Sequence, residues 1–519
     1  MLVFPCVYTA SSASAAGWYY AIMKGDGMTG FYGSKSRPKP IDRRRFLSGT
    51  VGAATAAFAP AVARSQGRFD VVVVGAGLSG LHAAMLLEEQ GLDVLTVEGR
   101  DRIGGRVYTL MDVPGKPEAA GELMGANYAR MIRSAEKLGL NLIEPQRLGA
   151  FAGSYYRIRG QNILAEEWPD HELNPLTGDD REILPNRMLF TLSHRDNPLS
   201  GRPLDDWVKP EFAKYDIPQD RYLREFLGFN EETIRLMNVT VHTDELSNTS
   251  ALHECRRYAV GEFNRRVSEA QPDKPLALQV EGGNSRLPSA MADSLTRGVE
   301  LGKTVYAFED SGSEVKVLCT DGSAYTAGQV VCSMPLPVLR NVKFWPRLPA
   351  RMAAAVDQID YGISIQVHFL IKRDFWEDDG LPSSIWSDAP FERFAVLGRG
   401  EDGAPSSAIA FINGSEAFKY DFMTDQQVAE YTLQQLVKVR PSLEGALEPI
   451  VVQSCHRDVH GAGDWVFWRP GQVANFASHM RESHGRIHFC GEHTALMERG
   501  MEGAFESGER AALDVLLNA

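Results

Sequence analysis

Residues 69–109 constrain the fold more than any other stretch. They begin Phe69-Asp70-Val71-Val72-Val73-Val74, continue Gly75-Ala76-Gly77-Leu78-Ser79-Gly80, and then read Leu81-His82-Ala83-Ala84-Met85-Leu86-Leu87. The β-branched run Val71–Val74 predicts a buried strand. Small and apolar residues at Ala83, Ala84, Leu86 and Leu87 predict a helix packed on it. A second strand, Asp93–Val97, ends on Glu98. Strand, glycine turn, helix, strand and acid, in that order, predict a dinucleotide-binding βαβ unit. Gly75 permits the tight turn. Gly77 lets the backbone approach a pyrophosphate, and Gly80 lets the helix pack closely on the strand. Ser79 sits in the first helical turn, where free N–H groups and the positive end of the helix face the phosphates. Glu98 is placed to accept hydrogen bonds from ribose hydroxyls.

The residues after Glu98 are Gly99-Arg100-Asp101-Arg102-Ile103-Gly104-Gly105-Arg106-Val107-Tyr108-Thr109. Gly105 gives a second close backbone approach, and Arg100 and Arg106 add cations for a pyrophosphate. This stretch resembles the FAD-binding signature of the flavin amine oxidase superfamily, which includes monoamine, polyamine and L-amino acid oxidases. The resemblance implies tightly held FAD. It also implies a fold of α/β plus α+β type: a Rossmann-like FAD-binding domain with an inserted substrate domain of mixed sheet and helices. The expected boundaries are a leader over residues 1–63, a FAD-binding domain over 68–150, 276–343 and 450–519, and a substrate domain over 151–275 and 344–449.

Charge narrows the partners. The chain of 519 residues has a formal net charge of −13, and residues 1–63 carry seven basic and two acidic side chains. Without that segment the remainder stands at −18. So acidic a body disfavours nucleic acid and gives cationic substrates a long-range bias that salt screens. The six cysteines, Cys6, Cys255, Cys319, Cys332, Cys455 and Cys490, form no C-x-x-C and no zinc spacing, which predicts buried free thiols and no metal. A homodimer is left open. Gly302-Lys303-Thr304 lacks the earlier glycine of a phosphate loop, with Arg297 in its place, and there is no H-E-x-x-H or nucleophile elbow.

The N-terminal region carries an address. Met1–Met23 holds no charge, and reads either as a membrane segment or as an extension upstream of a true start at Met23 or Met28. The second reading is preferred because an export signal, which belongs near an N-terminus, comes after it. Arg43-Arg44-Arg45-Phe46-Leu47, an Ala/Gly-rich run and Ala61-Val62-Ala63 have the form of a twin-arginine export signal. This predicts passage through the Tat machinery, cleavage after Ala63 and a soluble periplasmic product.

The resemblance extends to the C-terminus. Glu118 to Asn127 matches the family's stretch passing close to the flavin ring, which implicates Gly121, Glu122 and Leu123. Val305 stands where the family contacts the adenine half. Gly485-Arg486-Ile487-His488-Phe489-Cys490-Gly491-Glu492 and Gly500-Met501-Glu502-Gly503-Ala504 match the C-terminal signature. There Gly491 and Glu492 lie beside the ribityl chain, and a helix starting at Met501 points at the flavin O2 edge. Small residues at Gly503, Ala504, Ser507 and Gly508 predict close packing on the first strand.

Three departures shape the functional expectation. Gly463 stands where covalent members carry the linking cysteine, so FAD is expected to be non-covalent. Gly500 replaces one of the family's two aromatic rings, leaving Trp465 or Phe467 to form a wall. Gln366 replaces the lysine that faces flavin N5. The expected reaction is oxidation of an amine C–N bond to an imine by hydride transfer to N5, with reoxidation by oxygen or another acceptor. Leu123, where amino acid oxidases place an arginine for the carboxylate, favours a plain amine substrate. An L-amino acid oxidase, a desaturase-like flavoprotein acting on a hydrophobic C–C bond and a non-enzymatic flavin-binding protein stand as alternatives.

Overall fold

Val71–Val74 form the end of the strand Arg64–Val74, and these four residues are buried because both faces of the strand are covered there. Val72 and Val74 point into one hydrophobic core, with Phe308, Tyr325 and Trp468. Val71 and Val73 point into another, with Leu81, Ala84 and Phe505. This is the period-two alternation of a strand between two layers. The computed structural model describes residues 64–145, 154–193, 195–239, 244–271, 275, 277–399 and 405–518. The leader and its export signal lie outside the described residues.

The Arg64–Val74 strand is the centre of an eight-stranded sheet. Val94–Val97 and Val299–Glu300 run parallel on one side, and Ser323–Cys332 on the other, where Ile487–Phe489 joins it in parallel. Beyond them Val315–Cys319 and Val305–Asp310 form an antiparallel extension closed by Lys343–Trp345. Gly322, at φ +84°, makes the turn between Val315–Cys319 and Ser323–Cys332. The first helix, Leu78–Glu89, and the last, Gly500–Leu517, lie together on one face of this sheet. The expected partner of the small residues in the last helix needs correcting. Gly508 packs on the first helix rather than on the strand, and a Cβ there would stand 2.4 Å from the Ser79 carbonyl oxygen.

The second sheet has seven strands, in the order Leu447–Ser454, Ser364–Ile371, Pro405–Asn413, Arg393–Arg399, Ser384–Ser387, Ser154–Ile158 and Gln161–Ile163. Its two faces differ. Ile365, Val367 and Phe369 pack with Phe394, Val396 and the helix Asp425–Val439. The alternate residues Ser364, Gln366, Arg393, Ala395 and Phe411 face a cavity. The expected domain edges cut two strands: 343/344 falls inside Lys343–Trp345, and 449/450 inside Leu447–Ser454. Helix Ala251–Glu269 contributes Ala251, Leu252, Cys255 and Ala259 to the same core as Phe69 and Val72.

Among the described residues, Cys255, Cys319, Cys332, Cys455 and Cys490 are buried free thiols. No group of three or more metal-binding side chains occurs among them, and no described helix is long and apolar enough to cross a membrane.

Candidate active site

One cavity of about 800 Å³ runs from the glycine turn to the inner face of the second sheet. Such a volume lies in the upper part of the range of small-molecule and cofactor sites. Its lining gathers Gly75, Gly77, Ser79, Glu98, Arg100, Gly105, Arg106, Gly121, Glu122, Leu123, Val305, Gln366, Trp465, Glu492, Gly500 and Met501. Gly80, Gly491 and Phe467 are the three expected site residues it leaves out.

Each of these three has a physical reason. Gly80 serves packing: a Cβ would lie 2.0 Å from the Gly75 carbonyl oxygen. At Gly491, φ is +129° and a Cβ would strike the His493 ring at 2.4 Å. Phe467 corrects the expected aromatic wall. Its short strand, Val466–Phe467, pairs with Asp360–Tyr361, and the ring is buried in the protein. Trp465, just before that strand, lines the cavity.

The turn is built to receive an anion. Gly77 lines the cavity, and a Cβ there would meet no protein atom within 4 Å. The helix after it has no side-chain cap and no acid in its first turn, so its N–H groups are open to a ligand. Glu98 is 5 % exposed. Its oxygens accept from the backbone N–H groups of Ala76 (2.8 Å) and Arg100 (2.9 Å). This fixes the carboxylate at the mouth of the turn while leaving lone pairs toward the cavity. Arg100 is steered by Asp458, Nη2 to Oδ2 at 2.5 Å.

At mid-cavity, Arg106 donates from Nη1 to the Asp464 carbonyl (2.8 Å) and to Glu492 Oε1 (2.9 Å). Glu492 Oε1 also accepts from the Val466 N–H at 2.9 Å. The Arg106 guanidinium lies over the Tyr361 ring, 4.8 Å from its centroid. Tyr361 Oη meets His493 Nδ1 at 2.9 Å. Burial pushes His493 down to about 3, with Arg106 and Arg510 adding to it, so the ring is neutral.

Gln366 is aimed inward by strand alternation, and its Oε1 meets His368 Nε2 at 3.3 Å. His368 is fully buried, and burial pushes it down to about 4. A neutral Nε2–H tautomer donates to the amide oxygen and turns the amide NH₂ toward the cavity.

Sequence reasoning missed several lining residues. Lys303 and Thr304 flank Val305, and Ser333-Met334-Pro335 leave the strand Ser323–Cys332 at the cavity edge. Tyr128, Arg257, Arg393 and Arg499 also line it. No short motif marks these four. Arg257 could have been found from the helical face it shares with Val260, Gly261 and Asn264.

The open glycine turn, the uncapped helix, the buried acid and the paired arginine fit a dinucleotide with its pyrophosphate over Gly77. The same cavity continues past Gln366, Trp465 and Met501, with room for the rest of such a cofactor. Fold and site together define a flavoprotein oxidoreductase. The comparisons make this specific. The model of the flavin containing amine oxidoreductase family matches residues 78–516, and the chain belongs to that family. It is 28% identical over 469 residues to "Amine oxidase [flavin-containing] B" of Bos taurus, covering 86% of each chain. With the "Amine oxidase [flavin-containing]" of Oncorhynchus mykiss it shares 26% identity over 473 residues, or 87% of this chain and 86% of the relative. Among solved structures, cyclohexylamine oxidase from Brevibacterium oxydans superposes with a TM-score of 0.69 at 24% identity, covering 87% of this chain and 99% of that one. A putrescine oxidase bound to putrescine gives 0.69 at 23%, with the same coverage. These structural matches speak for the fold. The protein is an FAD-dependent amine oxidoreductase.

Proposed function

We infer that the amine is oxidised where Gln366, Trp465, Gly500 and Met501 converge, and that oxygen is not the preferred electron acceptor. FAD, when bound, supplies the hydride acceptor. The chain's own residues orient and exclude. Trp465 and Leu123 provide apolar walls against which a neutral amine loses its water. The Gln366 amide, held by His368, both donates and accepts, and so positions the amine or a water. Met501 opens the helix Gly500–Leu517, whose positive end supports negative charge developing near it. The observation that carries the acceptor preference is Gln366 itself. Among the described residues lining the cavity the single lysine is Lys303, and it sits at the other end, its N–H on the Glu98 carbonyl at 2.7 Å.

The deciding experiment is anaerobic bleaching of the bound flavin across a panel of amines and amino acids, followed by reoxidation with oxygen or with a quinone or cytochrome. Bleaching by amines and faster reoxidation by the second group are expected. No bleaching by any amine, with bleaching by lipophilic polyenes, would move the assignment to C–C desaturation.

Non-covalent FAD is part of this reading. Gly463 has φ +141°, and a Cβ there would stand 2.3 Å from the Tyr361 Cβ, so no linking side chain fits. Export through the Tat machinery to the periplasm is proposed from Arg43-Arg44 and Ala61-Val62-Ala63. Replacing both arginines by lysine should hold the protein in the cytoplasm, and normal export of that variant would refute it.

A further inference from the structure

The wall beside Trp465 carries hydrogen-bond donors that amine oxidation at Gln366 leaves unused. Arg499 immediately precedes the last helix and lines the cavity. Its guanidinium carbon is 5.9 Å from the centroid of the Trp465 ring. Among the described residues, no acceptor lies within hydrogen-bonding distance of that guanidinium and no carboxylate pairs with it. Tyr128 lines the same wall, and its hydroxyl is likewise without a partner there. Tyr128 Oη lies beside the residue that follows Arg499, since a Cβ on Gly500 would stand 3.6 Å from it, and the Arg499 charge acts directly on the Tyr128 hydroxyl. Neither group is sealed in, since none of their polar atoms belongs to the buried unsatisfied set. Burial pushes the Tyr128 hydroxyl up to about 12, so it is protonated and donates at neutral pH.

The neighbouring charges are committed elsewhere. Arg256 donates to the carbonyls of Ala495 (2.9 Å) and Glu498 (2.5 Å). Arg257 pairs with Glu254, Nε to Oε2 at 2.8 Å. Glu492 is held by Arg106 and by the Val466 N–H. An arginine has five donors and cannot shed its proton. In a half-buried wall it calls for an acceptor, and a carboxylate matches its fork geometry.

We propose that Arg499 and Tyr128 together bind a carboxylate of the substrate, so that the preferred amine carries an acid group. This rests on the cavity being the site of amine oxidation, and it names the substrate class. The expectation of a plain amine was drawn from Leu123 alone. Leu123 leaves its own wall apolar, and the anion is received across the cavity. The guanidinium takes the two carboxylate oxygens, and the phenol donates to one of them.

The test uses the FAD-loaded protein in two arms. In the first, benzoate and its uncharged counterpart benzamide are titrated against the oxidised flavin spectrum and Trp fluorescence. Benzoate should bind at least about tenfold tighter, the scale of one charged hydrogen bond. Arg499→Met should erase the difference, Arg499→Lys should retain part of it, and Tyr128→Phe should narrow it. In the second arm, kcat/KM for L-phenylalanine over 2-phenylethylamine should favour the amino acid and reverse in Arg499→Met. Equal binding of benzoate and benzamide by the wild type, or selectivity that survives Arg499→Met, overturns the proposal. If Arg499→Met fails to load FAD, the wild-type comparison and Tyr128→Phe decide. If no amine of either kind reduces the flavin, the amine-oxidation reading falls, while the benzoate arm still judges the anion site.

Discussion

Replacing Gln366 by lysine should speed the reaction of the reduced protein with oxygen. Negative charge develops on oxygen in a partly desolvated cavity, and a cation about 4 Å away contributes about 4 kcal/mol at an effective dielectric constant of 20. The surroundings make the variant costlier to fold. Gln366 Oε1 meets His368 Nε2 at 3.3 Å, and His368 is fully buried and pushed down to about 4. A lysine ammonium needs the imidazole as acceptor there, so the proton must move to Nδ1. That atom has no hydrogen-bond partner among the described residues, which costs on the order of 1–2 kcal/mol. That cost is present before and during electron transfer alike, so it lowers the stability of the variant and not its rate, and an acceleration of roughly a hundred- to a thousandfold is expected. The assay is stopped-flow mixing of anaerobically reduced protein with oxygenated buffer. Gln366→Met removes the amide without adding charge and should not accelerate the step. An unchanged rate constant in Gln366→Lys, or a wild type already as fast as that variant, refutes the argument from charge. Slowing of a fast wild type by Arg499→Met would locate the cation at Arg499.

Three further outcomes can be checked. Acid precipitation should leave the flavin in the supernatant, and flavin retained in the pellet would contradict the tight packing of Gly463 against Tyr361. Glu502 is 1 % exposed and accepts from the Arg130 and Met131 N–H groups at 3.0 and 3.1 Å, capping the helix Ala129–Lys137 from outside. Glu502→Gln should lower stability by about 1–3 kcal/mol in urea unfolding. The third concerns acid stability. Burial holds His82 and His368 at about 4 and His493 at about 3, below the ordinary 6.5, so the unfolded chain takes up protons there that the folded one refuses. Glu392, raised to about 8, and Glu498, raised to about 7, act oppositely, keeping protons that the unfolded chain releases above pH 4.5. Between pH 6.5 and 4.5 the lowered histidines, to which His253 and His488 add, outweigh the two raised acids, so stability falls on acidification. Between about pH 4.5 and 4 the two acids drop out and the fall steepens, and below that the folded histidines protonate and it eases. Melting temperature against pH should show this break, and His493→Gln should soften the acid limb.

The cofactor end of the cavity was legible in the sequence because its chemistry is local. Glycines at 75, 77 and 80, and an acid at 98, sit within one βαβ unit, where spacing along the chain fixes spacing in space. Gln366 was legible through the resemblance alone, as the position four residues after Gly362 where the family carries its lysine, and strand alternation then accounts for the face it shows. The substrate end was not. Tyr128, Arg257, Arg393 and Arg499 come from distant segments, and nothing in their neighbours distinguishes an arginine that lines a cavity from one that pairs on a surface. Phe467 shows the same limit at short range. Two residues after Trp465, it was an equal candidate for the wall until pairing with Asp360 buried it.

The Arg106–Glu492 contact joins residues 386 positions apart, and it has a consequence for how the protein is made. Ile487–Phe489 pairs with the Ser323–Cys332 strand. The helix Gly500–Leu517, the last in the described chain, closes over the first helix through Gly508 and Ser79. The nascent chain therefore presents its glycine turn to solvent, uncovered, while some four hundred further residues are made, from about residue 80 to about residue 487. The pocket is completed only after residues 487–517 have left the ribosome. A chain truncated before residue 487 should then be unable to retain FAD, however well its first βαβ unit folds, and apoprotein must acquire its cofactor after the helix Gly500–Leu517 has docked.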